Sequence, residues 1–575
     1  MQRTLLLIAV LTLATGAVAD EGDLSLRIYD VSVICAPRIP QFGPRLGSTP
    51  SNYVMREEDV AEPVQFLPQD NLIDIIRQRV EPESWDMEGA EISARENRIF
   101  VRHRVHILKR VEELLDAIAL AASRRVRFEV SLYGMDWSGG IGPIAGKPFV
   151  PPAGAERLES GSVETYPGVA TTFKITNRLR LLKDYDVEIA ENSAIADPIV
   201  EAADEGLVID LVPHPTMDGD RVLVEARVQQ GTFERPIPRL SLSENRKTLL
   251  GAIDLPVFRQ AYAHATPIVT SGGEFTLPFV VGSRLLMVRV KATVLGRGGS
   301  DWLLDVGALT RPQSRYMVGY DPETEEEWRD HCAPEMLRLY DDDGLRPMGA
   351  TEELAELILN YVDPWYWEEE GSLEMAENGQ IVYFAKPEVM ERVRRFVSAR
   401  EKDALSPLRV DLEVVSVAAP VESGVAAKLP EGAVVRSATS VKTIPGKEAC
   451  VLLGRTRNFV SDYGVEVAQS SKIADPIIGQ SFTGLAANFL PRLSRDGGTV
   501  RLDLAVLLAY LPKTPKPATD PEADYLGSLE QLPENRRVFN TTLEFPRGSL
   551  YVFDGGPDPV NADRRLAIAV RVTGE

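Results

Sequence analysis

The chain holds few of the residues on which redox, metal and nucleic-acid chemistry depend. Cysteine occurs three times in 575 residues, at Cys35, Cys332 and Cys450, and no two are close enough for a CxxC. A thiol-redox motif and a cysteine-built zinc site are thereby excluded. One pair could oxidise in an exported protein, or the thiols could be free and buried; the sequence leaves both open. Histidine is scarce, with five residues. Basic residues are in deficit, 63 against 85 acidic, for a net charge of −22. No basic stripe is present, and phosphate neutralisation by Lys and Arg supplies most nucleic-acid affinity, so no nucleic-acid partner is expected. No apolar run approaches the roughly 20 residues that a transmembrane helix needs, which says nothing about a β-barrel. GxSxG, HExxH, GxxxxGK[ST] and dinucleotide-binding glycine patterns are all missing, and no catalytic residue, metal or cofactor is expected.

The N-terminus carries a recognisable pattern. Arg3 precedes an apolar run from Leu5 to Leu13, and Ala17-Val18-Ala19 supplies small residues at the positions a signal peptidase reads. This predicts a secretory signal peptide over residues 1–19 and export to the periplasm, the outer membrane or the exterior.

The strongest signal is internal. Residues 184–199 read DYDVEIAENSAIADPI and residues 462–477 read DYGVEVAQSSKIADPI, with 11 of 16 positions identical at an offset of 278. Gly206-Leu207 matches Gly484-Leu485, Pro213 matches Pro491, Asp218-Gly219 matches Asp496-Gly497, and Val222 matches Val500. Fainter matches lie upstream. Leu26–Asp30 resembles Leu337–Asp341, and Val80 to Trp85 resembles Val362 to Trp367. Shared apolar spacing could arise by convergence; shared Asp-Pro, Gly-Leu and Asp-Gly points to duplication.

Each copy divides in two by pattern. Leu72, Ile75, Ile76 and Val80 recur at helical spacing, short strands follow around an Asn97 turn, and Val105 to Ile118 has a second helical stripe. Val126, Phe128, Val130 and Leu132 alternate as a strand, as do Val410, Leu412 and Val414. The remainder alternates with period two around Asp-Gly turns, which predicts antiparallel strands, among them Leu285 to Val294 and Leu566 to Val572. The expected fold class is α+β: two tandem copies of a small α+β unit followed by an antiparallel β domain. The expected boundaries are a signal peptide at 1–19, an α+β module at 20–135, a β-rich domain at 136–315, an acidic linker at 316–335, a second module at 336–418 and a second β-rich domain at 419–575.

Leu72 to Ile76, the Val-Glu-Pro-Glu-Ser-Trp run, the Ile99-Phe100-Val101 strand and the helix ending Val111 to Asp116 resemble the short N-terminal modules of secretins. Val126 to Val130 and the run Gly206 to Pro213, followed by Asp218-Gly219 and an alternating strand, are similar to the secretin core domain. The family's Val-Pro-x-Leu-Gly stretch has only a faint echo, at Gly251 to Pro256. Secretins are ring-forming outer-membrane channels of secretion and pilus systems. The resemblance implies a non-enzymatic envelope protein, homo-oligomeric or partnered with envelope or secretion-system proteins, with membrane association left open. A soluble periplasmic or extracellular module that binds a peptide, glycan or partner protein is the alternative.

Few residues stand out as sites. Asp197-Pro198 and Asp475-Pro476 recur in both copies and read either as a carboxylate in each copy's binding site or as turn and strand-end chemistry. Trp365 and Tyr366 are candidates for a contact surface, while Trp367, matched by Trp85, reads as core. His103 and His106 are three apart at a helix start, with Glu112 and Glu113 nearby, and read as ordinary helix residues.

Overall fold

A computed structural model describes residues 24–43, 46–47, 63–137, 151–152, 154–190, 193–244, 248–281, 284–296, 301–312, 346–467, 472–510, 517–518, 529–530, 535–561 and 563–574. The signal peptide, the acidic linker, Cys332 and the Leu337–Asp341 match lie outside the described residues.

In chain order the strands begin with β1 (Leu24–Asp30), β2 (Glu91–Arg95), β3 (Arg98–Arg104), β4 (Arg125–Asp136), β5 (Glu156–Thr165), β6 (Thr171–Ala190), β7 (Ser193–Pro215) and β8 (Arg221–Phe233). Then come β9 (Arg239–Glu244), β10 (Thr248–Asp254), β11 (Val257–Ala265), β12 (Ile268–Thr270), β13 (Glu274–Val281), β14 (Arg284–Leu295) and β15 (Leu303–Asp305). The C-terminal half supplies β16 (Ser372–Glu377), β17 (Gln380–Phe384), β18 (Leu408–Val417), β19 (Gly424–Ala426), β20 (Val434–Thr443), β21 (Ala449–Val467), β22 (Lys472–Leu493) and β23 (Thr499–Tyr510). It ends with the two-residue strands β24 (Pro517–Ala518) and β25 (Leu529–Glu530), then β26 (Asn535–Pro546), β27 (Leu550–Pro557) and β28 (Arg565–Gly574). The helices are α1 (Ser32–Cys35), α2 (Gln69–Arg79), α3 (Val105–Ala122), α4 (Gly307–Thr310), α5 (Thr351–Tyr361), α6 (Pro364–Glu369) and α7 (Pro387–Ala404).

The predicted α+β class does not hold. Antiparallel sheet dominates, and the two largest sheets, of nine strands each, are shared by both halves of the chain. The first runs β26-β23-β22-β21-β11-β8-β7-β6, with β12 also on β8; the second runs β19-β27-β28-β18-β20-β13-β14-β4-β5. The halves meet where β11 pairs with β21 and where β13 pairs with β20. The physical reason is edge satisfaction. A half-sheet ending at β11 or β21 leaves a row of backbone N–H and C=O groups unpaired, and joining the two edges pairs them. Two self-contained tandem units would leave both rows open.

The two large sheets face each other over one apolar layer. Val126, Phe128 and Val130 of β4 and Leu408, Val410 and Leu412 of β18 meet Leu207, Ile209 and Leu211 of β7 and Leu485, Ala487 and Phe489 of β22, all buried. Period-two alternation on strands such as β4, β14, β18 and β28 makes this possible, since one face of each is apolar.

Two small three-stranded sheets sit outside this layer, with orders β1-β3-β2 and β15-β17-β16. The helical stripes read from the sequence face them. Leu72 and Ile76 of α2 and Leu108, Val111 and Leu115 of α3 bury against Ile99 and Val101 of β3. Leu354 and Ile358 of α5 and Val393 and Val397 of α7 bury with Ile381 and Tyr383 of β17, and that cluster also takes in Leu223 from the outer face of β8. In the second small sheet β15, which precedes the acidic stretch in sequence, pairs with β17 as β1 pairs with β3.

The repeated sequence blocks fall on two long hairpins, β6–β7 and β21–β22, which pair from Thr171↔Leu211 to Ala190↔Ser193 and from Ala449↔Phe489 to Val467↔Lys472. Their neighbours accompany them only part of the way. β8 pairs with β7 from Gly206 to Pro215, and β23 with β22 from Gly484 to Leu493. The remainder of each hairpin projects beyond these strands. Gly206 and Gly484 stand where projection begins, with φ of 136° and 147°. A Cβ there would lie 2.2 Å from the carbonyl oxygen of Ile175 or Leu453. Only glycine tolerates that approach.

Candidate functional site

The chemically richest region lies on the outer face of the first large sheet, beside the seam between the halves. β7, β8 and β11 carry charged and polar side chains at the positions that alternate away from the apolar layer: Asp210, His214, Glu225, Arg227 and His264, all buried. They are buried because other parts of the chain cover this face. The segment carrying Gly43 lies across Asp210, whose Oδ1 accepts the Gly43 N–H at 2.8 Å and the Thr172 hydroxyl at 2.6 Å. Arg227 donates to Asp210 from its Nε at 2.7 Å.

His214 Nε2 lies 2.6 Å from Glu225 Oε1. Burial alone would raise the Glu225 carboxyl, but the His214 hydrogen bond and charge, with Lys447 and His264 nearby, hold it below the ordinary range. His264 sits opposite Arg227 on β8 and opposite Cys450 on β21. Burial, reinforced by Lys447 and opposed by Glu225, pushes its imidazole down to about 3, so it is neutral at neutral pH. The Cys450 thiol is free and buried, and burial raises its pKa, which makes it a poor nucleophile.

His214 and Glu225 form part of the wall of a cavity of about 620 Å³, which Phe42, Gln65, Arg311 and Thr351 also line. Arg311 reaches Asp305 from its Nη2 at 3.0 Å and the Asn378 carbonyl from its Nε at 3.3 Å. An imidazole–carboxylate pair beside a cavity can bind a polar ligand or exchange a proton. Among the described residues no cluster of three or more His, Cys, Asp or Glu side chains has the arrangement of a metal site.

The pair has a counterpart. An offset of 278 carries His214 to Arg492 and Glu225 to Asp503, and these two are in contact as an ion pair. Cover differs between the two places, with His214 and Glu225 at 2% and 4% side-chain exposure and Arg492 and Asp503 at 33% and 16%. This repeated pairing of a nitrogen side chain with a carboxylate was not among the features read from the sequence. Its signal was available, as two polar residues flanking the Asp-Gly turn at matched positions of both copies.

The residues singled out from the sequence are placed elsewhere. Asp197 and Pro198 lie in β7 opposite Asp186 and Tyr185, and Asp475 and Pro476 lie in β22 opposite Gly464 and Tyr463. They are therefore on two separate projecting hairpins, within strands and not at turns. Proline fits there because β8 and β23 stop short of these positions, so neither Pro198 nor Pro476 owes an N–H to a second neighbour strand. Trp365 is 78% exposed on α6. Tyr366 is half-buried, and its hydroxyl accepts the Lys386 N–H at 2.9 Å. Trp367 is half-buried against Tyr383, and its Nε1–H donates to the Val362 carbonyl at 2.6 Å, as Trp85 donates to Val80 at 2.8 Å. His103 is a buried residue of β3 and not a helix residue, with its Nε2 3.2 Å from the Ser84 hydroxyl; only His106 is on the helix.

The outer face of the second large sheet is mixed. Leu285 and Met287 of β14 are buried in a small apolar cluster, while Arg289 pairs with Glu274 and Lys291 with Glu129 further along the same strand. A second apolar cluster on that face, with Val415, Val417, Val552, Ala567 and Ala569, meets the first at Val435. No helix of the described residues is long and apolar enough to cross a membrane.

No protein-family model matches the chain, and no curated protein matches it. Among solved structures it is similar to the type II secretin GspD from enteropathogenic Escherichia coli, at 11% identity over 39% of this chain and 84% of that one, with a TM-score of 0.21. The Salmonella SPI-1 type III secretion secretin InvG is 12% identical over 48% of this chain and 87% of its own, with a TM-score of 0.21. The Vibrio cholerae type IV competence pilus secretin PilQ is 11% identical over 48% and 78%, again at 0.21. Superpositions this slight fix neither the fold nor an activity.

Proposed function

We propose that this chain is a non-enzymatic, secretin-like structural protein of the bacterial envelope, exported through the signal peptide at 1–19 and working as an assembly component among envelope or secretion-system proteins. The observation that carries the reading is the seam. Two copies of one sequence pattern are joined edge to edge in both large sheets, so the chain presents a continuous antiparallel surface that neither copy forms alone. The sequence resemblance to secretin modules in both copies supports the same reading. The boundaries read from the sequence, with breaks near 135, 315, 335 and 418, belong to this proposal.

The test is fractionation of the cells that make the protein. The mature chain, beginning at Asp20, is expected in the membrane and periplasmic fractions, and mild cross-linking is expected to recover it with envelope proteins. Recovery in the cytoplasm with its N-terminus uncleaved would overturn the reading.

A second reading is a soluble periplasmic or extracellular binding module. The cavity beside His214 and Glu225 favours it. Stabilisation of the purified chain by one small peptide or glycan, lost in a Glu225→Gln variant, would establish that reading in place of the first.

A further inference from the structure

The cavity beside His214 and Glu225 is also bordered by Arg311, and a guanidinium at this position belongs to one copy only. Arg311 caps α4 as Ala36 caps α1. Each follows a four-residue helix, has extended backbone with φ of −68° or −67°, and donates its N–H to the carbonyl of Gly307 or Ser32. Asp305 pairs with Gln380 and Asp30 with Arg98, which puts the two caps at matched places beside the two small sheets. The first module closes with alanine there, so the fold of the module does not call for an arginine.

Room is made for the Arg311 side chain. A Cβ on Gly307 would lie 2.1 Å from its Nη1, one on Gly379 2.9 Å from its Nε, and one on Gly168 3.0 Å from its Cδ. The first module has Ser32 and Asn97 where the second has Gly307 and Gly379. A cation packed in this way needs partners. Its Nε and Nη2 have them in the Asn378 carbonyl and Asp305, while Nη1 is buried with no hydrogen-bond partner among the described residues.

Positive charge accumulates around it. Asp305 is shared with Arg124, whose Nη1 lies 3.9 Å away, and the Nε and Nη1 of Arg124 are also buried with no hydrogen-bond partner among the described residues. Burial lowers the pKa of Arg124 and of Arg38, and the charge of Arg311 adds to the shift in both; Asp305 opposes it at Arg124 and Tyr166 at Arg38. Arg311 is thus close enough to two other guanidinium groups to repel both, and a further anion would relieve that repulsion.

We propose that the cavity binds a small organic carboxylate, held by the guanidinium of Arg311 with its apolar body against Phe42 and Val212. The planar fork of an arginine matches a carboxylate. At about 620 Å³ the cavity is far larger than a bare oxyanion needs, and Pro40, Phe42 and Val212 give it apolar wall. A single negative charge suits the rest of the lining. Glu225 is held in its charged form by His214, and Glu352 and Glu377 are exposed, so a dianion would meet their repulsion. A bound acid would extend the cavity's role in the second reading above, on which this assignment rests, and is equally compatible with a place in the envelope.

Isothermal titration of the mature chain, from Asp20 onward, with benzoate is expected to give a dissociation constant of about 1 mM, as suits so small a ligand. Benzamide has the same shape without the charge, and phenyl phosphate is a dianion at pH 8. Each is expected to bind roughly tenfold more weakly or worse. Arg311→Lys keeps the charge and loses the fork, and is expected to cost roughly tenfold in benzoate affinity. Val212→Phe leaves every charge in place and fills the cavity, and is expected to abolish binding while near-ultraviolet circular dichroism stays that of the parent. It decides the matter alone where the lysine variant does not fold. Equal affinity for benzoate and benzamide, tighter binding of phenyl phosphate, benzoate binding that survives Val212→Phe, or no binding of benzoate up to about 20 mM would each overturn the assignment. A neutral glycan or peptide amide that binds where benzoate does not would keep the second reading and overturn this one. None of these titrations bears on where in the cell the protein resides.

Discussion

His264 of β11 stands directly opposite Cys450 of β21, so the seam between the halves is closed on its outer face by an imidazole and a thiol, both fully buried. The imidazole is held down to about 3, chiefly by burial. In the unfolded chain it takes up a proton near its ordinary value of roughly 6.5. Above that pH both states are neutral and nothing is lost. As pH falls from about 6.5 towards 3 the unfolded chain binds a proton that the folded chain refuses, and stability falls. A His264→Gln variant is expected to lose less stability over that window than the parent, measured as urea midpoints against pH. Parallel curves for the two proteins would refute this.

Glu401 gives a slope of opposite sign. Its Oε1 accepts the Met217 N–H at 2.8 Å, which ties α7 to the turn between β7 and β8. Burial raises this carboxyl to about 7. Below about 4.5 the folded and unfolded chains both hold the proton. Between 4.5 and 7 the unfolded chain releases it first, so stability declines as pH rises and the full cost is present above 7. Glu401→Gln keeps an acceptor for Met217 and removes the charge. It is expected to stabilise the protein by about 1–3 kcal/mol at pH 8 and to do little at pH 4, by thermal unfolding at the two pH values.

Gly206 and Gly484 predict matched failures. Each holds a positive φ, and an added Cβ meets a carbonyl oxygen of the partner strand. Gly206→Ala and Gly484→Ala are each expected to cost about 1–3 kcal/mol and to raise hydrogen exchange along the projecting part of the same hairpin only. Exchange that rises in both hairpins with either substitution would show the hairpins to be coupled.

The two tryptophans of α6 differ sharply in what they predict. Trp365→Ala is expected to change stability by no more than about 0.5 kcal/mol, because the side chain is mostly in water. Trp367→Phe keeps a ring against Tyr383 but loses the hydrogen bond to Val362, at a cost of about 1 kcal/mol. Chemical denaturation of the two variants separates them.

Local structure was legible in the sequence wherever one period ran long enough. Leu72, Ile75 and Ile76 gave the helix at Gln69–Arg79, and alternation from Val126 gave the strand at Arg125–Asp136. Asp218-Gly219 and Asp496-Gly497 marked the turns between β7 and β8 and between β22 and β23. The joining of the halves was not legible. Ala261 and Ala263 of β11 and Val451 and Leu453 of β21 are all buried, and nothing in their order says that the strand beside them comes from the other copy. Strand pairing is a long-range choice made by which edges remain open after each half folds, and the period of a strand carries no address for its neighbour. The buried row Asp210, His214, Glu225 and Arg227 was hidden for a related reason. Polar residues alternating outward look solvated until something far away in sequence covers them.

The covalent tie between the halves changes what dilution can do. Two free single copies would meet across a β11·β21 contact at a rate and extent set by their concentration. Tethered in one chain, the same edges face each other at an effective concentration of order millimolar, so this contact persists however dilute the protein becomes.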